Sequence, residues 1–560
     1  MTARALICAA ALLLVAGCAG APPRPPASAA SRPPPASLWE LAPDDAVAGV
    51  VARPGALGAL LALSAELLQG DAARMLGELS AKSEGDPRRS DALRDVAVFR
   101  DLGLDPSVGA AAFGFADPDR GALLVLPVRD RARFRAAFHL ALQREGDRER
   151  DVHESGYACE PAAGLYLCAR SPATIDAALA ARGGALRAAV ERLSQADRGE
   201  VELYVDASAP QLAKAGKRAE ERGIGELLGA SLALRLRPDG ASARLHVFAA
   251  LSEPVRVGLR EKTPPLRPLP ADAPSTIRLR LDPRALLPLS KSLDPKVRAE
   301  LVEPLGGDVE ISTAGTGMIG ATAVATLGDP PRVEAYVKQR CADTGGTWRR
   351  YLLAQITVRE HGCSAELDPS LLLLPVTLAP VPISLEVRGG QLLLTVGEGT
   401  PAASPLVPGE GTSAGEDTFV AQSRLLQLGP EVGAAAAFRA VSRLFDERAE
   451  KMLGVVNEVG AHIYEARLAG HLEADGAVMT LDLTTFATDP KDAREAYEGA
   501  LGKRRAGDLA GYRAALAEVE ARFPGTKVAE RATRVRRGGP ALGAGALLLS
   551  GFGGALRKTK

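Results

Sequence analysis

Asparagine is nearly absent, with Asn457 its sole occurrence, and lysine is scarce at 13 residues against 55 arginines. With alanine abundant, that imbalance reads as GC-rich coding bias rather than chemistry. Aromatic side chains make up only 4%, too few for platforms that stack bases or sugars. Net charge is missing too: 68 basic residues balance 68 acidic ones. The chain therefore lacks the basic surplus that displaces counterions from nucleic acid. There is no HExxH, GxSxG, SxxK or Walker A pattern, and no CxxC pair to start a zinc site. What is present is a globular composition, 46% hydrophobic and 24% charged over 560 residues. That is too charged for a polytopic membrane protein and too long for one ordinary core, so two or more domains are expected.

The start, MTARALICAAALLLVAGCAG, places one positive charge, Arg4, before an apolar run from Ala5 to Ala16. That run is too short to span a bilayer and fits the apolar region of a signal peptide. It ends in Val15-Ala16-Gly17-Cys18, which resembles a bacterial lipobox. In that chemistry the thiol takes a diacylglycerol thioether, the chain is cut before the cysteine, and the new amine is acylated. Several acyl chains anchor stably where one is marginal. The alternative is ordinary secretory cleavage after Ala19-Gly20-Ala21. Ala19, rather than an aspartate, follows the cysteine and points to the outer membrane. Residues 1–17 are then a signal peptide and 18–37 a tether, whose seven prolines between 21 and 37 favour extended polyproline-like chain.

Six cysteines are present. Cys8 leaves with the signal and Cys18 is the lipid attachment site. Cys159, Cys168, Cys341 and Cys363 remain, and an even remainder in an exported protein reads as disulfides. Cys159 and Cys168 flank a Pro/Gly turn and can face each other across a hairpin. Cys341 ends a helical pattern and Cys363 ends a strand pattern, AQITVREHGC. Of the three pairings, the two local ones are expected.

The chain repeats itself. LAPDDAVAGVVARPGAL at 41–57 matches LPADAPSTIRLRLDPRAL at 269–286, with Asp45-Ala46 on Asp272-Ala273 and Pro54 on Pro283. Alternating hairpins built around Pro238-Asp239-Gly240 and Ala474-Asp475-Gly476 close the two halves, and Asp-Gly between alternating strands is a strong hairpin signal. Between them, each half has a strand, then Asp130 or Asp329, then a helix, and later a glycine-then-strand piece at Gly164 and Gly390. The expected fold class is α+β, with two tandem related halves, 38–262 and 263–488, and antiparallel sheets. A Pro-rich joint at 264–270 separates them, and a Gly/Pro/Ser-rich loop covers 397–417.

Three pieces, L-x-P-x-D-A…V-V-x-R-P at the start, L-P-V-x-D-x-x-x-F after a hairpin, and Glu202-x-Tyr204-Val-Asp206, resemble an uncharacterised family of bacterial envelope lipoproteins. The resemblance covers about residues 38–487. It implies an exported, lipid-anchored protein of unknown function and brings no catalytic residues.

Residues 489–537 form a helical segment of two or three helices, expected as a helical hairpin packing on the second half. Its ending, Phe523-Pro524-Gly525-Thr526-x-x-Ala529, resembles one tetratricopeptide unit, whereas repeat arrays need three or more to bury a core. The tail, 538–560, holds an apolar run at 541–556 with a basic end. As a helix that run measures about 24 Å, short of a bilayer core of about 30 Å, and five glycines weaken it. It offers a second membrane contact or a groove-bound tail.

Gly315-Thr-Gly317-Met-Ile-Gly320 matches the dinucleotide fingerprint, but ATAVATL after it reads as a strand and not the helix the fingerprint must open. The histidines, 139, 153, 246, 361, 462 and 471, are scattered and read as surface or hairpin residues. Glu220-Glu221-Arg222 and Asp446-Glu447-Arg448 read as solvated helix faces. No catalytic, cofactor-binding or metal residues are expected. The sequence supports a non-enzymatic, lipid-anchored envelope protein facing the periplasm. Its role is structural or protein-interacting, with other envelope proteins as partners; the alternative is a carrier or binding module for an apolar ligand such as lipid. An enzyme is the least favoured reading.

Overall fold

A computed structural model describes residues 37–67, 102–181, 199–253, 275–280, 299–313, 320–342, 353–367, 381–397, 419–424 and 458–536, apart from a few residues within those ranges. The signal peptide, Cys18, nearly all of the tether, Asp272-Ala273, Pro283, the joint at 264–270, most of the 397–417 loop, Asp446–Arg448 and the 541–556 tail lie outside the described residues.

The first half holds strands β1 (Ala46–Ala52), β2 (Ala110–Phe115), β3 (Ala122–Leu126), β4 (Ala141–Glu145), β5 (Arg148–Val152), β6 (Ala158–Ala162), β7 (Leu165–Ala169), β8 (Val201–Asp206), β9 (Gly225–Arg237) and β10 (Gly240–Leu251). The second holds β11 (Ser275–Arg280), β12 (Leu305–Thr313), β13 (Gly320–Leu327), β14 (Leu353–Arg359), β15 (Gly362–Leu367), β16 (Val381–Arg388), β17 (Gln391–Gly397), β18 (Phe419–Ser423), β19 (Ile463–Glu473) and β20 (Gly476–Thr485). The helices are α1 (Ala56–Leu67), α2 (Arg131–Ala137), α3 (Pro172–Ala180), α4 (Pro210–Glu221), α5 (Pro330–Ala342), α6 (Lys491–Arg505), α7 (Leu509–Arg522) and α8 (Lys527–Arg536). Every pairing is antiparallel, and the fold class is α+β.

Strand order is β4-β5-β6-β7-β3-β2-β1-β8-β9-β10 in the first half. In the second it is β14-β15-β16-β17-β13-β12-β11-β18-β19-β20, the same order with every strand number raised by ten. Register repeats as well. One row of directly opposed residues runs Asp151, Cys159, Cys168, Leu124, Ala112, Val50, Leu203, Leu232, Leu245. Its counterpart runs Cys363, Leu385, Leu394, Ala323, Ile311, Ile277, Ala421, Leu468, Leu481. A one-residue slip anywhere would break this match, because it moves a whole strand to the opposite face. The halves are therefore two copies of one fold.

The copies meet edge to edge. β10 pairs with β20 from Gly240↔Thr484 to Phe248↔Gly476. Gly240 opens β10 as Gly476 opens β20, so the pairing is self-complementary, with a pseudo-two-fold axis through Arg244↔Thr480. The two opening glycines are required by close approach. A Cβ on Gly240 would overlap the carbonyl of Leu483, and one on Gly476 would overlap the carbonyl of Val247.

The first-half core lies on one face of β1, β2, β3 and β7. Trp39, Phe113, Leu123, Val125, Leu167 and Ile175 are all buried there, each such side chain contributing about 1.5–3 kcal/mol. α2 starts where Asp130 accepts from the Arg133 amide at 3.1 Å, and α5 where Asp329 accepts from the Arg332 amide at 3.2 Å. These are matching N-caps at matching places. α2 is short. It ends at Ala137, His139 takes a left-handed backbone, and the following residues enter β4. Both local disulfides are formed, Cys159–Cys168 and Cys341–Cys363. Cys363 does not end a strand, as its sequence pattern suggested. The chain turns after Arg359, and Cys363 is the second residue of β15.

The C-terminal segment is three helices rather than a hairpin. Tyr497, Leu501, Tyr512, Leu516 and Val528 pack with Ala461 and Phe486, so the segment docks on the second half. Arg531, fully buried, locks it there. Its guanidinium donates to the carbonyls of Arg424 at 2.6 Å, Gly460 at 3.1 Å and Ile463 at 3.2 Å.

Removing one disulfide should discriminate the halves. The Cys341–Cys363 bridge closes a separation of 22 residues and joins a helix to a strand, so replacing both with alanine should cost about 3 kcal/mol in urea denaturation. Replacing Cys159 and Cys168, already opposed in a hairpin, should cost less. Arg531→Leu strands three carbonyls and should cost about 3 kcal/mol or more, read as protease release of the segment after residue 489.

Candidate functional site

The strands around the seam are long and strictly two-faced. Directly opposed residues share a face, and on one face the rows read Leu232–Leu245–Met479–Gly470, Leu234–Ala243–Leu481–Leu468 and Leu236–Ala241–Leu483–Ala466. None of these carries a charge, a hydrogen-bonding side chain or an aromatic ring. The opposite face reads Arg235–Ser242–Asp482–Arg467 and Ser231–His246–Val478–His471. In the first half the apolar face runs on into Leu203, Val50 and Ala112.

Among the described residues this face is incompletely covered. Met479 is 40% exposed, and the leucines of β9, β10, β19 and β20 named above are half-buried. α1, ALGALLALSAEL, packs on β9 and is apolar apart from Ser64 and Glu66, yet its Leu60, Leu63 and Leu67 are also half-buried. A helix apolar all round belongs inside a core or a membrane, and among the described residues no helix is long and apolar enough to cross one. At a strand spacing of about 4.8 Å the four strands are roughly 19 Å across.

The buried polar groups have structural partners instead. Asp151, fully buried, accepts from Arg131 at 2.7 and 3.1 Å, from Tyr166, and pairs with Arg135 at 3.2 Å. Through the repeat, Asp151 occupies the place of Cys363. Both tie a β-strand to the helix above it, one by ion pairs and the other by the disulfide to Cys341. Glu202 accepts from the Trp39 indole at 3.0 Å and from Arg53 at 2.6 Å. These groups pin elements together. Among the described residues no group of three or more His, Cys, Asp or Glu could hold a metal. Gly320 opens strand β13, so the dinucleotide fingerprint lacks its helix.

Most histidines fit their sequence reading: His139 and His361 are exposed, and His246 and His471 lie on the two hairpins. His246 is nevertheless buried, and so is His462. His462 sits under α6, with Nε2 at 3.8 Å from Glu498. Glu458 close by takes Arg504 and Arg505 at 3.1 Å each. Burial pushes the His462 imidazole below its ordinary value, against the pull of Glu498. Nearby, burial and then the hydrogen bond to Glu530 push the Tyr464 phenol up to about 12.

No family model matches the chain, and no curated protein matches it. Two solved structures, crystal forms III and I of TP0453, are similar at TM-score 0.24 and at 12% and 10% identity. They cover 38% of this chain and 80% and 79% of their own. That likeness is too slight to carry an argument about function.

The docking of the C-terminal helices should weaken in acid. The docked state holds His462 neutral, so it binds fewer protons than the undocked state. Stability is complete above the ordinary histidine value of about 6.5 and falls as pH drops through the depressed one. Melting temperature should decline between pH 7.5 and 5.5, and His462→Phe should flatten that decline.

Proposed function

We propose that the chain is a non-enzymatic, lipid-anchored protein of the bacterial envelope whose body binds acyl chains on the apolar face across the seam. The observation that carries this reading is the aliphatic face of β9, β10, β20 and β19, whose leucines are half-buried among the described residues. Protein-docking hot spots are built on Trp, Tyr and Arg anchors, and the named rows have none. Leucine, alanine and methionine, by contrast, suit a hydrocarbon ligand with no polar group to satisfy. This favours the apolar-ligand role over the structural or protein-interacting one. The lipobox-like Cys18 would hold the body at the outer membrane, facing the periplasm and within reach of lipid, and would place the chain with the uncharacterised envelope lipoproteins it resembles.

The test has two arms. Fatty-acid labelling should mark the wild type and not Cys18→Ala; equal labelling refutes the anchor. Full-length Cys18→Ala protein, purified without added lipid, should yield co-purified phospholipid on solvent extraction, and Leu481→Asp should reduce the yield several-fold. Lipid-free protein would overturn the binding reading.

A further inference from the structure

Arg531 carries a charge into a core. It is fully buried, and a guanidinium stays protonated inside a protein. Its acceptors are all backbone carbonyls, those of Arg424, Gly460 and Ile463. Carbonyl dipoles solvate a cation without neutralising it. Among the described residues no carboxylate pairs with this one. A buried charge without a counter-charge is among the costliest features a fold can carry.

The charges around it are already matched. Arg504 pairs with Glu458 at 3.1 Å, and Arg505 with Glu458 at 3.1 Å and Glu498 at 2.7 Å. Burial keeps His462 beside them toward its neutral form. On the other side Arg424 takes Glu465 at 2.6 Å, and Arg534 takes Glu530. The positive charge of Arg531 is left over.

Hydrogen-bond donors are left over as well. Arg531 Nε, Tyr512 Oη and Arg504 Nη1 are buried and reach no acceptor. Tyr512 is 1% exposed. It packs in one core with Leu501 of α6 and with Val528 and Ala532 of α8, next to the helices that carry Arg504 and Arg531. Burial pushes its phenol up, so the hydroxyl keeps its proton, while Arg504 and Arg531 pull the other way. A water would accept these hydrogens and leave the charge uncancelled. An anion accepts them and cancels it.

We propose that α6, α7 and α8 enclose a site for one small monovalent anion of chloride size, held by Arg531 Nε, Tyr512 Oη and Arg504 Nη1. The leftover charge sets the valence. Enclosure sets the size, since solvent barely reaches Arg531 or Tyr512. Because the anion neutralises the side chain that ties α8 to the second half, docking of the C-terminal helices depends on it. This site is independent of acyl binding.

The full chain carrying Cys18→Ala, dialysed into gluconate and titrated with chloride at constant ionic strength, tests this. Protease release of the segment after residue 489 should slow several-fold as chloride is added and then level off. Tyr512→Phe removes one donor and little volume, and should need about tenfold more chloride for the same protection. Arg531→Met should show no chloride response. Equal release of the Cys18→Ala chain in gluconate and chloride would overturn the inference. So would a response that never levels off and is unchanged in Tyr512→Phe, the mark of a general salt effect. If Arg531→Met is already undocked, crystals of the Cys18→Ala chain grown in bromide decide without it. An anomalous peak within hydrogen-bond reach of Arg531 Nε and Tyr512 Oη is expected; a water there, with no anomalous signal, would overturn the site.

Discussion

Everything in this molecule hangs on two strands that pair with each other's image. β10 and β20 are equivalent strands of two copies of one fold, and their ladder closes about an axis at Arg244↔Thr480. Left unpaired, each would be a long, flat edge with a row of free amides and carbonyls, the kind of edge that recruits stray chains. Paired, they cover each other from Gly240 to Phe248 and from Gly476 to Thr484. The requirement reaches the side chains too, since the residue opening each strand must be glycine to let the opposite carbonyl in. Isologous contact of this kind is the signature of two-fold dimers, here contained in one polypeptide.

The copies have solved the same problems with different chemistry. Where the helix after the third strand must be held to the fifth, the first half uses a buried carboxylate between two arginines and the second uses a disulfide. Where the first half bridges its sixth and seventh strands through Cys159–Cys168, the second packs Leu385 opposite Leu394. A buried ion pair is sensitive to losing either partner, and a covalent link is sensitive to reductant. The two halves therefore have different weaknesses despite one architecture.

What could be read from the sequence was local. The Asp-Gly hairpins, the capping aspartates Asp130 and Asp329, and the bridge of nine residues between Cys159 and Cys168 all lie within a few residues of their partners, and alternation or spacing announces them. The duplication was legible because the sequence around Asp45 and Pro54 recurs around Asp272 and Pro283. The buried positions of Asp151, His246 and His462 were not legible, because they depend on partners brought together by strand pairing across the chain. The apolar face was half visible. Each hairpin alternated as expected, but only the register of β10 on β20 shows that both put their leucines on the same side. The charge of Arg531 disguised a core residue.

The covalent joining of the two copies also changes how the seam responds to abundance. An edge-to-edge pair of separate chains would come apart on dilution, and a scarce protein spread over a membrane would spend much of its time as exposed halves. Linked in one polypeptide, each half meets the other at an effective concentration set by the connecting segment and not by expression level. The seam, and with it the continuous face that crosses it, is then as complete in a single molecule as in a thousand.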